Sequence, residues 1–127
     1  MDIVAMTSDA YERFRAICLS LPERTEVFVE EWGHPTFRVG PKLKMFASCG
    51  PDDTEPFSLG MKVEKAHQQA LVHTDKRITI AAYVGKHGWI NVDTSGPLDW
   101  DEIRELVTES YRLNAPSRLA KQVLADG

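Results

Sequence analysis

Residues 57–63 read FSLGMKV, and they form the most regular pattern in the chain. Every second residue is large and apolar, and the residues between are small or charged. Side chains alternate between the two faces of a strand, so this pattern predicts a β-strand with one buried face and one wet face. A sheet that is dry on only one face is typical of antiparallel architecture. The apolar set is Phe57, Leu59, Met61 and Val63.

The same period of two extends to both sides of this strand. β-branched and aromatic residues recur between turn signals at 33–35, at 40–41 and over 49–56. The predicted strands are 25–32, 36–39, 43–48, 57–63, 78–84 and 89–93, with a short helix inserted over 64–71. We therefore expect an antiparallel sheet of about five strands.

Helical periodicity is found near both ends of the chain. The apolar spacing predicts an amphipathic helix over 8–20 with Thr7 as its N-cap, and Asp99 with Glu102 has the spacing of a capping box. A last helix is expected over 116–124, since proline is favoured in a first helical turn. The segregation of helices and strands predicts an α+β fold with helices on one side of the sheet. The expected shared core contains Phe14, Ile17, Leu59, Met61, Ile80, Val92, Ile103 and Val107.

Length and composition favour one soluble domain. The chain has 127 residues, 43% of them apolar and 27% charged, which fits a single domain over 1–127. No apolar run reaches the roughly 18 residues that a membrane span needs. Asp2 stands where a secretory signal would carry positive charge, so we expect a cytoplasmic protein without a membrane partner. Nothing in the sequence indicates an oligomer, and a monomer is the favoured expectation.

The charge distribution is uneven. The formal net charge is -4, which is the wrong sign for a strong non-specific nucleic-acid binder. Residues 41–89, however, hold seven Lys or Arg against five Asp or Glu, while both flanking segments are net acidic. An anionic partner is therefore expected to contact the middle of the chain.

Strand parity predicts which side chains lie on the wet face. That face should combine Arg38, Lys44 and Lys62 with the aromatic rings of Phe46 and Trp89. Loops should bring further basic residues to its rim, namely Lys42, Lys86 and His87. Cations interleaved with aromatic rings can neutralise phosphates and pack on bases or sugars. The alternative interpretation is that these cations only keep an open sheet soluble while Trp89 is covered by a loop or a helix.

The residue types that usually carry metal or catalytic chemistry do not form a pattern. His34, His67, His73 and His87 lack zinc-ligand spacing, and no metal or other cofactor is predicted. Cys49 would need a nearby base to act as a nucleophile, and a buried structural thiol is the simpler account. The sequence contains no phosphate-binding glycine loop, nucleophile elbow or zinc-protease motif, so no catalytic residue is proposed and an enzyme is disfavoured. Four acidic residues could gather as a weak cation site or a solvated edge: Glu23, Glu26, Glu30 and Glu31.

Three separated motifs resemble the MmcQ/YjbR family of small bacterial proteins. They are GHPTFRVGPKLKMFA at 33–47, GKHGWINVD at 85–93, and DWDEIRELVTESYRL at 99–113 followed by APSRLA at 115–120. The resemblance implies the CyaY-like fold, a frataxin-type sandwich in which helices cover one side of an antiparallel sheet. It also implies DNA binding through a double-wing arrangement of the sheet and its hairpins. Two lysines, Lys42 and Lys44, stand where the family usually has a glycine turn before one lysine.

Three functions follow from these observations. The first is weak, salt-sensitive DNA binding through the wet face. The second is a binding domain for a protein or for an anionic small molecule, with a pocket formed by Trp89, Phe46 and Arg38. The third, taken from frataxin, is iron binding by acidic residues of the first helix, which here offers only Asp9 and Glu12.

Overall fold

The chain folds as an α+β structure with four α-helices and six β-strands. The computed structural model describes residues 2–29, 34–50, 58–82 and 84–124, with the backbone alone at 2–9, 29, 34, 50 and 124. The elements are α1 Asp2–Leu19, β1 Arg24–Val29, β2 His34–Val39, β3 Lys44–Gly50, β4 Ser58–Lys62, α2 Lys65–Thr74, β5 Ile78–Ile80, a 3-10 turn Gly85–His87, β6 Trp89–Asp93, α3 Trp100–Asn114 and α4 Ser117–Leu124. No helix among these residues has both the length and the apolar composition needed to cross a bilayer.

The strands form one antiparallel sheet in the order β1-β2-β3-β4-β6-β5. The first four strands follow one another as a meander. After β4 the chain passes through α2 to the far edge, and β6 then returns to fill the place between β4 and β5. The predicted α+β class and antiparallel sheet are confirmed, and each of the six predicted strand segments overlaps one strand of that sheet.

The helices and one face of the sheet share a single core. Leu59 lies opposite Val92 and Met61 lies opposite Ile90, and all four side chains are buried. The helices cover this face with a cluster that includes Ile17 from α1, Ile103 and Val107 from α3 and Leu119 from α4, with Leu71 and Val72 of α2 packed against it. Phe14 of α1 contacts Phe37 of β2 edge to face, with ring centroids 6.1 Å apart. The alternation that predicted β4 is therefore confirmed at the residues that the structure describes.

Two predictions about the ends of elements are wrong. Helix α1 begins at Asp2, so Thr7 lies within the helix and does not cap it. Ile80 is 49% exposed because it ends the short edge strand β5, which has a neighbour on one side only. Ile78, opposite Val92, supplies the buried side chain of that strand. The predicted cap of α3 is confirmed, since Asp99 Oδ1 accepts hydrogen bonds from the N–H groups of Asp101 and Glu102 in the first turn of the helix.

A β-bulge in β3 changes which side chains lie on each face. Phe37 pairs with Ala47 and Arg38 pairs with Met45, so Phe46 has no partner on β2. An extra residue in one strand reverses the alternation beyond it. Phe46 is fully buried against Tyr111 of α3, with ring centroids 5.3 Å apart, and the prediction that it faces solvent is wrong.

The same bulge moves two neighbours of Phe46. Met45, expected in the core, is only half-buried and lies opposite Arg38. Lys44 lies directly opposite Val39, whose side chain is in the core. Opposed residues share a face of the sheet, so Lys44 lies at the edge of the face that the helices cover. Lys44 remains exposed, but it does not share a face with Arg38 as predicted.

Candidate functional site

One end of the sheet gathers basic residues from four strands and the adjoining turns. Strand β1 starts there, β2 and β3 meet there, β4 ends there, and β6 begins there, because Arg24 pairs with Val39 and Lys62 pairs with Trp89. We call this region the basic end, and its cations are Arg24, Arg38, Lys42, Lys44, Lys62, Lys65 and Lys86, with His87 beside them. From β1 to β6 it spans about 19 Å, taking a spacing of about 4.8 Å between strands.

The β2–β3 turn presents two of these cations. Gly40 and Leu43 both have positive φ angles, 78° and 51°, and the Leu43 N–H donates to the Gly40 carbonyl at 3.1 Å. This closes a tight turn with Pro41 at its second position. Lys42 and Lys44 project from the turn and are exposed.

The 3-10 turn before β6 presents Lys86 and His87, and Gln68 of α2 positions it. The fully buried Gln68 amide donates to the Gly85 carbonyl at 2.8 Å and to the Trp89 carbonyl at 2.9 Å, so it holds both ends of the turn. Gly88 has φ 100°, and a Cβ there would lie 2.2 Å from the Val63 carbonyl oxygen. Only glycine fits this position without displacing the end of β4.

Lys62 and Lys65 extend this group toward α2. The Lys65 Nζ donates to the Lys86 carbonyl at 3.2 Å, which brings α2 and the 3-10 turn together. Lys62 is half-buried at the end of β4, directly opposite Trp89. Lys65 and Arg24 were not predicted as site residues. Arg24 directly precedes the predicted strand 25–32 and Lys65 lies in the predicted helix 64–71, so strand alternation does not identify them, and only the strand order brings them to this end.

Arg38 lies on the sheet face away from the helices and is held in place. Its Nε donates to the Thr36 hydroxyl at 3.0 Å, and its NH1 group lies 3.4 Å from the Leu43 carbonyl. Thr36 is itself fully buried and donates to the Val27 carbonyl at 2.8 Å. Arg38 therefore supports the β2–β3 turn from one face while Lys44 flanks it on the other.

The aromatic residues do not form the predicted open surface. Trp89 is only 8% exposed, which leaves little ring area for stacking on a base. Phe46 is on the opposite face from Arg38, so Trp89, Phe46 and Arg38 do not line one pocket. The alternative interpretation of a covered Trp89 is the one that matches its burial.

Carboxylates near the basic end are mostly engaged. Arg118 of α4 donates to both oxygens of Glu23, at 2.7 and 3.0 Å, and this hydrogen bonding lowers the pKa of Glu23. Glu109 of α3 contacts His67 Nδ1 at 2.7 Å and accepts the Glu64 N–H at 2.9 Å. None of the described carboxylates forms an ion pair with the site cations Arg24, Lys42, Lys44, Lys62 and Lys86.

The remaining candidates lie elsewhere and have structural partners. Glu26 accepts hydrogen bonds from two Arg15 nitrogens, with the Nε–H shared between both carboxylate oxygens, and one from the Tyr11 hydroxyl, so it joins α1 to β1. Cys49 is buried and does not form a disulfide. Within the described ranges no three His, Cys, Asp or Glu residues are placed to hold a metal. Glu30 and Glu31 lie outside the described residues, as does the side chain of Asp9.

Comparison with known proteins identifies the family. A model of the YjbR family matches residues 19–113. The chain belongs to the YjbR family. This YjbR match includes the motifs at 33–47, 85–93 and 99–113, and it confirms the resemblance predicted from them. None of the curated proteins compared with the chain matches its sequence.

Two solved structures are similar to this YjbR chain. A Deinococcus radiodurans protein with a DUF419 domain has a TM-score of 0.68 and 25% sequence identity, and the alignment covers 78% of this chain and 73% of that one. A protein from Pseudomonas syringae has a TM-score of 0.60 and 21% identity, covering 73% of this chain and 88% of that one. The similarity supports the α+β fold.

Proposed function

We propose that this YjbR chain binds DNA weakly and in a salt-sensitive manner through its basic end. The observation that carries the proposal is the convergence of seven Lys or Arg residues at one end of the sheet in a chain whose net charge is -4. A protein with this overall charge gains little from long-range attraction, so contacts to phosphates must be local. Such an interface would make few contacts with DNA, and salt would strongly weaken the attraction between its cations and the phosphates.

The proposed contacts divide into two groups. Arg38, Lys42 and Lys44 lie in or beside the β2–β3 turn, and Lys62, Lys86 and His87 surround the start of β6. The full width of about 19 Å corresponds to roughly half of one duplex turn of about 34 Å. This is compatible with two neighbouring stretches of phosphate backbone. We propose that Trp89 packs beneath this surface and supports it, since its ring is mostly buried.

The salt dependence of binding tests the proposal. We expect wild-type protein to bind duplex DNA at about 20 mM salt and weakly near 150 mM, with log Kd changing by about 0.9 per decade of salt for each phosphate contacted. Lys44→Ala and Lys62→Ala should each reduce that slope by about one unit. A combined variant lacking Arg38, Lys44 and Lys62 should lose most of the affinity.

Lys76→Ala is the matched control. Lys76 is an exposed lysine in the turn between α2 and β5, at the opposite end of the sheet. Its removal changes net charge by the same amount as Lys44→Ala but should leave the salt slope unchanged. The proposal fails if wild-type protein does not bind at low salt, or if the Lys76 and Lys44 variants behave alike.

The finer structural and cellular expectations belong to the same proposal. The helix-meander-crossover-helix order, with the helices contributing to a core on one sheet face, supports a fold of the CyaY type. We propose that the protein acts in the cytoplasm as a monomer and needs no cofactor. Size-exclusion chromatography with light scattering, run with and without duplex DNA, measures the oligomeric state directly.

A further inference from the structure

The last residue of the β2–β3 turn carries an apolar side chain under two unfavourable conditions. Leu43 is 44% exposed, and its φ of 51° is in the left-handed region that costs a leucine roughly 1–2 kcal/mol relative to ordinary backbone. Glycine or asparagine is the usual residue at such a turn position. The free protein thus gains only part of the burial that a leucine can provide and holds it on unfavourable backbone, which points to a role outside the free protein.

The surroundings of Leu43 restrict what it can contact. Lys42 and Lys44 flank it and are both exposed, and the Leu43 carbonyl lies 3.4 Å from the Arg38 guanidinium. The Pro116 ring lies so close to Gly40 that an added Cβ there would approach it to 3.1 Å. This neighbour supports the turn on one side. The turn is held in place and presents one apolar side chain between two cations. This arrangement suits insertion of the apolar side chain between bases while the cations contact phosphates.

Most of the other exposed apolar residues also lie near the basic end. Three of the four large apolar side chains exposed in the described part of the chain are Leu43, Ile80 and Val84. Ile80 ends β5 beside the start of β6, and Val84 precedes the 3-10 turn, so all three are near the basic end. The fourth, Phe28, lies on β1 opposite Pro35, toward the other end of the sheet.

We propose that Leu43 inserts into a base step of duplex DNA from the minor groove, with Lys42 and Lys44 on the flanking phosphates. Proteins that bend DNA use apolar wedges of this kind, and leucine is among the side chains they insert. The preferred substrate is then duplex DNA with an easily unstacked step, such as TA or a mismatch, and a stiff A-tract is disfavoured. This inference rests on the proposed DNA binding and adds the class of DNA and the mode of contact.

The experiment uses duplexes of about 20 base pairs that carry 2-aminopurine beside a central TA step, a mismatch or an A-tract. Wild-type binding should raise the 2-aminopurine fluorescence at the TA step and at the mismatch, because the base becomes unstacked. Leu43→Gly and Leu43→Asn both suit a positive φ. Each should lose the fluorescence rise and about tenfold in affinity for the TA duplex, with an unchanged salt slope.

Phe28→Ser is the matched control for loss of an exposed apolar side chain, and it should retain both the fluorescence rise and the affinity. If wild-type protein binds DNA and the Leu43 variants bind equally well with equal unstacking, the wedge is refuted while DNA binding stands. If wild-type protein does not bind DNA at all, both proposals fail. Leu43-dependent binding to vesicles of phosphatidylglycerol and phosphatidylcholine, without DNA unstacking, would assign Leu43 to a lipid surface and overturn the inference.

Discussion

The hydroxyl of Ser110 on α3 donates a 2.6 Å hydrogen bond to the carbonyl of Phe46 on β3, one residue beyond the last paired position of β3 and β4. The same oxygen accepts the Lys62 N–H from β4 at 2.9 Å. The register that pairs Ala47 with Met61 would place Phe46 and Lys62 opposite each other. One helix hydroxyl therefore replaces a ladder hydrogen bond at the point where β4 enters the basic end.

Ser110→Ala should destabilise the fold. The substitution leaves the Phe46 carbonyl and the Lys62 N–H without this partner in a buried region, which costs about 1–3 kcal/mol in the free energy of unfolding. Thr108→Ala on the same helix is the control, since the Thr108 hydroxyl bonds only the Arg104 carbonyl of its own helix and should change stability by less than about 0.5 kcal/mol. Urea denaturation of both variants measures the difference, and equal midpoints would contradict the bridging role.

Trp89 should matter for folding far more than for direct contact with DNA. Because the side chain is buried, Trp89→Ala should cost about 3–5 kcal/mol in the free energy of unfolding. Trp89→Phe keeps most of the packing and should leave DNA affinity and its salt slope close to wild type. A folded Trp89→Phe protein that binds markedly less well, at unchanged salt slope, would instead show that the indole itself contacts DNA.

The acid sensitivity of the fold should depend on Glu26. Hydrogen bonds from Arg15, which is the main cause, and from Tyr11 lower the pKa of Glu26 below its ordinary value of 4.5. The folded state therefore binds fewer protons than the unfolded chain at pH values between the lowered pKa and about 4.5. The stabilisation is present above about pH 4.5 and is lost as the pH falls through the lowered pKa.

Glu26→Gln should thus reduce stability at neutral pH and weaken the dependence of stability on pH in the acid range. Glu105→Gln, at an exposed position of α3 without a described ion pair, is the control and should keep the wild-type dependence. Denaturant midpoints measured from neutral pH down through the acid range give both profiles. Parallel profiles for wild type and Glu26→Gln would show that other carboxylates carry the effect.

Local patterns were sufficient for much of the fold. The alternation around Leu59 and Met61 predicted a half-buried strand, and the cap at Asp99 predicted the start of α3, because each depends on neighbours a few residues away. The site was predicted less completely. Lys62, Lys86 and the β2–β3 turn were identified from the chain, whereas Arg24 and Lys65 join them only through strand order.

The sequence by itself determined the periodicity, the α+β class, the family and the excess of cations in residues 41–89. The tertiary structure decided the face on which Phe46 lies, the burial of Trp89 and the exposure of Ile80. The physical reason is that alternation is a local property of an unbroken strand, whereas a bulge, an edge position and the order of strands depend on partners far away in the chain. Ser110, separated by 64 residues from Phe46, completes the sheet at a place that no local pattern identifies.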